Sequence, residues 1–419
     1  MDQSISRLLA HERIRAARHH LERTDEVTLA RQAALSAIPA PTGAEGRRAA
    51  HVAELFREVG LQDVLIDEVG NVHGWVGSNG GRADLQPPVV LSAHLDTVFG
   101  PDVNVAVERR GQRLEGPGIS DNARGLAALV AVAEALVAAR VPIARPLLFA
   151  ATVGEEGSGD LRGVKYLLNG KSEKGERGGV HPAPVAFIAL DGAGLERVVH
   201  RALGSKRYRV TFRGPGGHSW AAFGVANPAN AVGRATALLA DLPTSKAPRT
   251  TCAVVRLGGG TGLNSIPQEA WLDLDLRSED PKALAQLDVT VGAALDRALD
   301  DENRRRASGT PPLRLERQPV GDRPSGVTPR THPLVQAAVA ANRVLGRDAE
   351  LASASTDANV PIALGIPAIA LGAGGKAGDA HLATEWYENT EGALGIVRAL
   401  LVTAAMAGVA QQGDSRPST

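Results

Sequence analysis

PLLFAATVGEEG, residues 146–157, runs from a nearly unbroken apolar stretch into a glycine-flanked pair of glutamates. An apolar stretch of this kind predicts a strand that is buried on both faces of a sheet. Upstream, the Ala/Leu-rich segment Asn122–Arg140 predicts a long helix, and similar apolar runs occur at Val89–His94 and Val185–Leu190. Strands that alternate with helices in this way predict an α/β domain with a largely parallel central sheet and flanking helices.

The pattern of candidate elements changes near Gly204. From there it follows the order β-α-β-β-α-β, which is typical of an α+β ferredoxin-like unit. The segments are Lys206–Phe212, Asn227–Leu239, Thr251–Leu257, Ala270–Arg277, Asp280–Asp300 and Leu313–Gln318. The α/β pattern then resumes with a helix at Pro333–Leu345. We therefore predict a discontinuous first domain over residues 1–204 and 321–419, with a second domain over 205–320 inserted in it.

The composition limits the possible functional classes. The chain has 419 residues, more than one compact core usually holds, which agrees with two domains. Lys plus Arg and Asp plus Glu both number 46, so bulk charge gives no support for binding nucleic acid or an anionic membrane. Aromatic residues make up only 3% of the chain, which leaves few platforms for stacking bases. A single cysteine, Cys252, excludes a disulfide within the chain and a cysteine-rich zinc finger.

The two ends of the chain and one loop carry further expectations. Residues 1–36 predict helix, and the N-terminal segment is charged throughout, without the apolar centre of a signal peptide. No apolar run is long enough to span a bilayer. We therefore expect a cytoplasmic protein without a membrane partner. The polar stretch 169–179 predicts a loop, and the tail 411–419 predicts disorder.

Polar side chains follow the apolar runs of the predicted sheet, where open α/β sheets bind their ligands. They are His94, Asp96, Asp121, Glu155, Glu156, Asp191 and His381. One carboxylate at a strand end is usually only a cap or a turn, but several that converge repel one another unless a cation compensates their charge. A set of His, Asp and Glu without cysteine suits zinc, cobalt or manganese. Since His94 and Asp96 are two residues apart, Asp96 is also a candidate to orient the His94 imidazole.

These residues lie in short motifs that occur in a familiar order. The motifs are His94–Val98 (HLDTV), Gly118–Asp121 (GISD), Gly154–Gly157 (GEEG), Asp191, Gly216–Ser219 (GGHS) and His381. Over about residues 30–405 the set resembles the zinc peptidase/deacylase superfamily of peptidase T, carboxypeptidase G, aminoacylase, acetylornithine deacetylase and succinyl-diaminopimelate desuccinylase. Ser355–Asn359 (STDAN), Leu364–Ala368 (LGIPA) and Glu385–Trp386 are most similar to the peptidase T-like branch.

The resemblance implies a co-catalytic site with two divalent metal ions, zinc being expected and cobalt or manganese the alternatives. The implied protein ligands are His94 and Asp191 for one ion, Glu156 and His381 for the other, and Asp121 as the bridge between them. The peptide bond after the bridging aspartate, Asp121–Asn122, is expected to be cis. The inserted domain is implied to act as a lid and to form a homodimer.

The resemblance also implies the catalytic roles. Glu155 would accept a proton from the attacking water and pass it to the leaving amine, and Asp96 would support His94. A role as a further metal ligand is the alternative for Glu155. His218 would stabilise the oxyanion from the inserted domain, frequently that of the other subunit. A histidine after glycines is also often only a hydrogen-bonding residue of its loop.

Candidate substrate contacts are less specific. Arg277 suits a bidentate grip on a substrate carboxylate, although a surface ion pair with a neighbouring acid is the alternative. Asn264 is expected to add a hydrogen bond, or else to serve as a turn residue. Thr356 and Gly374 are expected to line the pocket by family analogy, with the glycine-rich segment 372–378 as a flexible wall.

We therefore predict a metallopeptidase that cleaves an amide bond in short peptides. A deacylase or carboxypeptidase acting on N-acyl amino acids is the alternative. Two remoter hypotheses are a binding protein that keeps the fold without catalysis, and a metal-free glycosidase built on a pair of carboxylates. The glycosidase has no use for His94 and His381 beside the acids.

Overall fold

Helices and strands alternate along the computed structural model, which describes residues 1–77, 86–169, 179–180 and 182–410. The helices are α1 (Asp2–Ala10), α2 (Glu12–Arg23), α3 (Asp25–Ser36), α4 (Gly46–Glu58), α5 (Ala123–Ala138), α6 (Arg162–Asn169), α7 (Pro228–Ala240), α8 (Pro281–Arg305), α9 (Pro333–Val344), α10 (Asn359–Ala363) and α11 (Gly392–Ala407). The predicted disordered tail lies outside the described residues, and so does most of the predicted loop 169–179.

The strands divide among a large sheet and smaller ones. They are β1 (Gln62–Ile66), β2 (Val72–Val76), β3 (Val89–His94), β4 (Glu108–Arg110), β5 (Arg113–Glu115), β6 (Leu147–Thr152), β7 (Ala186–Leu190), β8 (Arg197–Ala202), β9 (Gly204–Arg213), β10 (Gly217–His218), β11 (Thr250–Gly259), β12 (Ser265–Ile266), β13 (Glu269–Ser278), β14 (Arg314–Arg323), β15 (Gly326–Val327), β16 (Glu350–Ala354), β17 (Ala368–Leu371), β18 (Lys376–Gly378) and β19 (Trp386–Glu388).

The chain forms two units. The first comprises Met1–Ala202 and Val327–Thr419, and the second comprises Leu203–Gly326. The second unit therefore interrupts the first at 202/203 and 326/327. The sequence pattern predicts these boundaries at 204/205 and 320/321. Within the described residues, none of the helices combines the length and apolar character that crossing a bilayer requires.

The large sheet of the first unit has the order β1-β2-β6-β3-β7-β17-β8-β15, with β16 paired to β8. At its centre β3 runs parallel to both β6 and β7, and β7 runs parallel to β17. Every residue of β3, β6 and β7 is buried, as expected for strands covered on both faces. The structure therefore confirms an α/β fold with a largely parallel central sheet, although β2 and β8 add antiparallel pairs.

Helices cover both faces of this sheet because side chains alternate along each strand. Val89 and Leu91 of β3 belong to the core that contains α5 and α11, whose Ala- and Leu-rich sequences are buried almost all round. Val90 belongs to a second core on the opposite face, with α6 and α10. The central strands are therefore packed between two layers of helices, which fixes the position of the sheet edge at which these strands end.

Some elements were not predicted. Residues 2–36 form three helices rather than one, because the backbone at His11 is extended and Thr24 leaves the helical region. The strands β8 and β16 were missed, since their sequences (RVVHRA and ELASA) mix charged and small residues. A small sheet of three-residue strands, β18-β19-β5-β4, was also missed, and it carries the segment around His381.

The second unit is a four-stranded antiparallel sheet of order β11-β13-β9-β14, with α7 and α8 packed on one face. This is the predicted ferredoxin-like arrangement. Both helices begin as the sequence predicts: the Asn227 and Asp280 side chains accept the N–H groups of Ala229 and Ala283, and a proline follows each cap. Alternating Leu272, Leu274 and Leu276 of β13 fill the core.

Candidate metal centre

The candidate ligands meet where the parallel strands end. β3 ends at His94, Glu155 and Glu156 follow β6, and Asp191 directly follows β7. Because these strands are parallel neighbours, their carboxyl ends lie at one edge of the sheet. Asp121 reaches the same edge from the loop before α5. We call the set of His94, Asp121, Glu155, Glu156, Asp191 and His381 the rim.

Asp121 stands between the two histidines of the rim. Its Oδ1 lies 3.0 Å from Nε2 of His94, and its Oδ2 lies 3.1 Å from Nε2 of His381. Each imidazole also has a second acid nearby: Asp191 Oδ1 is 3.9 Å from His94 Nε2, and Glu156 Oε1 is 3.2 Å from His381 Nε2. The two oxygens of one carboxylate therefore face two separate groups of donors.

The geometry of these donors fits divalent ions. One ligand atom from each of His94, Asp121 and Glu156 lies within 4.8 Å of the others, close enough to share an ion. Asp121 Oδ1 is buried and, among the described residues, has no hydrogen-bond donor of good geometry. Buried carboxylate oxygens without donors are costly unless a cation is bound to them. His, Asp and Glu donors of this kind suit zinc and its first-row neighbours.

The close spacing of acids and imidazoles in the rim shifts the pKa values of its side chains. Burial opposes charging His94, but the nearby carboxylates of Asp121 and Asp96 outweigh burial and raise its pKa well above the ordinary value. Hydrogen bonds to two carboxylates, Asp121 foremost, raise the pKa of His381 to about 10. Burial and then the Asp121 charge raise the pKa of Asp191 to about 7. The rim therefore favours positive charge, which divalent cations supply in place of protons.

Asp96 contacts the rim through both its backbone and its carboxylate. The nearest acceptor for His94 Nδ1 is the backbone oxygen of Asp96, at 3.0 Å, while the Asp96 carboxylate is 3.5 Å away. That carboxylate accepts the backbone N–H groups of Glu155 and Glu156, each at 2.9 Å, and the hydroxyl of Thr42 at 2.8 Å. Asp96 thus fixes the direction of the two consecutive glutamates, and its backbone fixes the ring of His94.

Glu45 holds the backbone amide next to the two that Asp96 holds, and the sequence did not indicate this role. Its buried carboxylate accepts the N–H of Gly154 at 3.1 Å and binds the Arg162 guanidinium at 2.8 Å with both oxygens. Three successive amides, those of residues 154–156, are therefore held by two carboxylates. Glu45 lies more than 100 residues away in sequence, so no local motif links it to the rim.

The loop that carries Asp121 is also anchored at its helical end. Asn122 caps α5 by accepting the N–H of Gly125 at 3.1 Å, and its amide nitrogen donates to the backbone oxygen of Leu190 at 2.9 Å. Since Leu190 precedes Asp191, one side chain joins the two ligand-bearing segments. The Asp121–Asn122 peptide bond is cis, as the resemblance implies.

Beyond the predicted set, Asp357 lies beside the rim. It is buried, its Oδ2 accepts the hydroxyl of Thr152 at 2.5 Å, and its charge contributes to the raised pKa of Asp191. The neighbouring Thr356, which we predicted as a substrate contact, accepts the N–H of Ala358 with its hydroxyl. In the STDAN motif it is therefore the aspartate that approaches the rim.

Gly374, which we predicted to line the pocket, lies in a closely packed part of the backbone. Its N–H donates to Gly194 at 3.0 Å, and its carbonyl accepts the N–H of Gly194 at 3.3 Å. A Cβ at position 374 would lie 2.4 Å from the backbone oxygen of Gly392. The segment 372–375 is buried, and the buried guanidiniums of Arg124 and Arg398 bind its carbonyls. This half of the predicted flexible wall is thus closely packed.

In the second unit, His218 and Asn264 come together. His218 pairs with Ser265 across β10 and β12, and the N–H of Ser219 donates to the Asn264 carbonyl at 2.9 Å. His218 Nδ1 accepts the N–H of Trp220 at 3.2 Å, so a neutral ring carries its proton on Nε2 and presents a donor. We call His218, Trp220, Phe223, Leu263 and Asn264 the tip; all five are exposed.

Arg277 lies at the other end of this unit. It faces Ser205 on β9, next to the chain junction. The tip residues lie in the chain after β9 and before β13, whose first residue, Glu269, marks the opposite end of the strand. Glu269 and Arg277 are eight residue steps apart along the strand, roughly 27 Å. The Arg277 Nε donates to Asp275 at 2.7 Å, which is the ion pair considered above as its alternative role. The structure therefore does not bring Arg277 together with His218 and Asn264.

Comparison with known proteins decides the family. The sequence profile described as peptidase family M20/M25/M40 matches residues 90–407, a range that includes the whole rim. The chain belongs to peptidase family M20/M25/M40.

The chain is also similar in sequence to curated hydrolases. A succinyl-diaminopimelate desuccinylase of Xanthomonas oryzae pv. oryzae is 30% identical over 264 residues, covering 60% of this chain and 67% of the relative. The cytosol non-specific dipeptidase of Escherichia coli is 26% identical over 290 residues, covering 65% and 58%. The structure of aminopeptidase PepT from Bacillus cereus superposes with a TM-score of 0.70 at 20% identity, over 91% of this chain and 99% of that one.

Membership of the M20/M25/M40 family establishes the general activity. The chain is an enzyme, a metal-dependent amide hydrolase, and its rim is a His/Asp/Glu cluster able to hold a metal ion. The fold is the one that PepT shares. The predicted superfamily and the predicted reaction class are therefore confirmed.

Proposed function

We propose that this M20 enzyme is a co-catalytic two-metal hydrolase that cleaves the amide bond of short peptides. The observation that carries the proposal is the position of Asp121, whose two oxygens lie 3.0 and 3.1 Å from the Nε2 atoms of His94 and His381. Asp191 completes the donor set on one side and Glu156 on the other. Asp121 would then be a ligand shared by two ions, with zinc the first candidate for both.

Glu155 is the proposed general base. Bound divalent ions supply polarisation of the scissile carbonyl and a lower pKa for the attacking water. The Glu155 carboxylate is buried, and it is close enough to His94 to help raise the pKa of that imidazole, which supports a role for Glu155 within the rim. It accepts a proton from the water and passes it to the leaving amine. Asp96 holds the backbone amides of both Glu155 and Glu156 and so fixes where each side chain begins. In the proposed mechanism Glu156 serves a metal ion and Glu155 serves the water.

His218 is the proposed donor to the oxyanion, through Nε2. Its Nδ1 already accepts a backbone N–H, so the opposite ring nitrogen is the one that donates. Because His218 and Arg277 lie at opposite ends of one sheet, one inserted domain does not present both to a single small substrate. We therefore propose a homodimer, in which a second copy of the chain supplies His218 and Asn264 to the site.

The substrate contacts follow from this arrangement. Asn264 adds a hydrogen bond beside His218, and Arg277 exchanges Asp275 for a substrate carboxylate. Thr356 and Gly374 are proposed to line the substrate pocket, where the Thr356 hydroxyl also accepts the N–H of Ala358. We place the enzyme in the cytoplasm, as the name of the Escherichia coli dipeptidase states for that relative.

Short peptides and N-acyl amino acids are the two candidate substrate classes, and each is supported by a relative. The dipeptidase relative favours short peptides, whereas the desuccinylase relatives favour an N-acyl amino acid with a carboxylate in the acyl group. We prefer short peptides, because the STDAN and LGIPA stretches are most similar to the peptidase T-like branch.

Metal analysis of the purified protein, joined to a mass-spectrometric screen of dipeptides, tripeptides and N-acyl amino acids, tests the proposal. We expect about two divalent ions per chain, as co-catalytic hydrolases hold, and free amino acids released from peptides. Release of succinate or acetate from N-acyl amino acids without peptide cleavage would favour the deacylase. A metal-replete protein inactive on the whole panel would contradict both.

A further inference from the structure

Glu385 is a buried carboxylate to which the mechanism above assigns no role. It follows His381 by four residues and is 0% exposed. Its Oε1 accepts the backbone N–H groups of Ser120 and Asp121, and its Oε2 accepts that of Gly118, all at 2.8 Å. Three amides of one loop thus converge on one side chain from a distant segment.

The acceptor has to be a carboxylate to satisfy this geometry. In the part of the chain described, the partners of its two oxygens are backbone N–H groups, not a lysine or arginine. A glutamine at this position offers one oxygen, and its NH₂ group would then point at an N–H donor. At least one of the three bonds would be lost and a donor would be left opposed to a donor. The two oxygens of Glu385 therefore serve the loop rather than an ion pair.

The loop that Glu385 holds is the one that presents Asp121. The backbone follows the same pattern: the N–H of Gly116 donates to the Glu385 carbonyl at 2.8 Å, and β5 pairs with β19 just beyond it. Gly118 adopts φ +73°, in the region that favours glycine, which turns its N–H towards the carboxylate. Glu385 consequently ties the Asp121 loop to the segment that carries His381.

We propose that Glu385 is a positioning residue that sets the distance between Asp121 and His381 for metal binding. This rests on the two-metal function proposed above. Because Glu385 accepts the backbone N–H of Asp121, it fixes the backbone position from which the Asp121 side chain extends. Glu385 also belongs to the same chain segment as His381, so it links the two ligands. Groups that hold metal ligands in place typically change metal affinity by about 10–100-fold when they are replaced.

The test compares Glu385→Gln with a matched control, Glu388→Gln. Glu388 lies three residues further on in β19, and its carboxylate accepts the Thr390 hydroxyl at 2.7 Å, with no ligand-bearing loop involved. Cobalt(II) is titrated into metal-free full-length protein, and affinity is measured by calorimetry together with the visible spectrum of the bound ion. Peptidase kcat and KM are measured on the zinc-loaded forms.

We expect Glu385→Gln to weaken cobalt binding by about 10–100-fold, to alter the cobalt spectrum, and to lower kcat more than it raises KM. Glu388→Gln should match the wild type in all three. If Glu385→Gln does not fold, Glu385→Asp, which keeps the charge but shortens the reach, should give a smaller shift in the same direction.

The outcomes separate the two proposals. A wild-type protein that binds no cobalt removes the two-metal function and this inference with it. A wild type that binds two ions, with an unchanged affinity and spectrum in Glu385→Gln or in its aspartate substitute, overturns the positioning role alone.

Discussion

The rim of the first unit and the tip of the second unit carry the proposed chemistry in opposite ways. Within the rim, His94, Glu155 and Glu156 are 3%, 4% and 8% exposed, and carboxylates from distant segments hold the backbone around them, whereas the His381 side chain is exposed. Trp220 and Phe223 are each 87% exposed, and His218 binds chiefly within its own turn. The backbone of the rim is therefore held in place by the protein itself, whereas the tip side chains lack packing partners within their own unit.

This difference indicates a division of labour. Binding two like-charged ions among several acids requires fixed distances, because ligand geometry within a few tenths of an ångström decides metal affinity. Stabilising an oxyanion requires a donor only while the substrate is bound. A mobile or partner-supplied donor therefore meets the second need but not the first. Each of the following experiments strengthens or breaks this contrast.

Removal of the metal ions should have the largest effect. Exhaustive chelation is expected to lower peptidase activity by at least about three orders of magnitude, since metal-ion catalysis supplies several kcal/mol of transition-state stabilisation. Zinc, cobalt or manganese should restore it, and circular dichroism should show that the fold survives. Activity that persists after chelation would return the carboxylate-pair glycosidase hypothesis to consideration.

Glu155→Ala should separate catalysis from metal binding inside the rim. We expect kcat to fall by at least about two orders of magnitude, the usual contribution of a general base, while the metal content stays at the wild-type value. Metal analysis and steady-state kinetics on the same preparation check this. Normal turnover by the variant would remove Glu155 from the mechanism.

Metal affinity should distinguish the supports of the rim from the tip. Asp96→Asn exchanges one carboxylate oxygen, which accepts an amide of residue 155 or 156, for an NH₂ group. It is expected to weaken metal binding by about 10–100-fold. His218→Ala should leave the affinity unchanged and lower only the rate. Calorimetric zinc titrations measure both variants, and a weakened His218→Ala protein would show that the tip also shapes the metal site.

Mixing two inactive variants should have the smallest but most specific effect. If a second copy supplies His218, random exchange of Glu155→Ala with His218→Ala subunits gives half heterodimers, each with one intact site. About a quarter of all sites should then regain activity. Glu155→Ala mixed with Asp96→Asn is the matched control, because both defects lie in the rim. Activity equal to the sum of the separate variants would indicate that each chain completes its own site.

Local sequence was enough for the parts of the fold that rest on periodicity. The apolar runs of β3, β6 and β7, the capped helices of the second unit and its β-α-β-β-α-β order all follow from burial and capping within one segment. β8 and β16 escaped prediction because their strand pairing, not their composition, stabilises them. The three-residue strands near His381 are likewise held by their neighbours.

For the site, residue type and position after a strand indicated the rim, since parallel strands end at a common edge. The sequence by itself therefore determined which groups are candidates for the metals and that two domains are present. Tertiary structure alone decided how those groups are held: Glu45, Glu385 and Asp357 act across more than 100 residues, and Arg277 lies apart from His218. Such hydrogen bonds depend on where distant backbone amides come to rest, and no local pattern of residues encodes that.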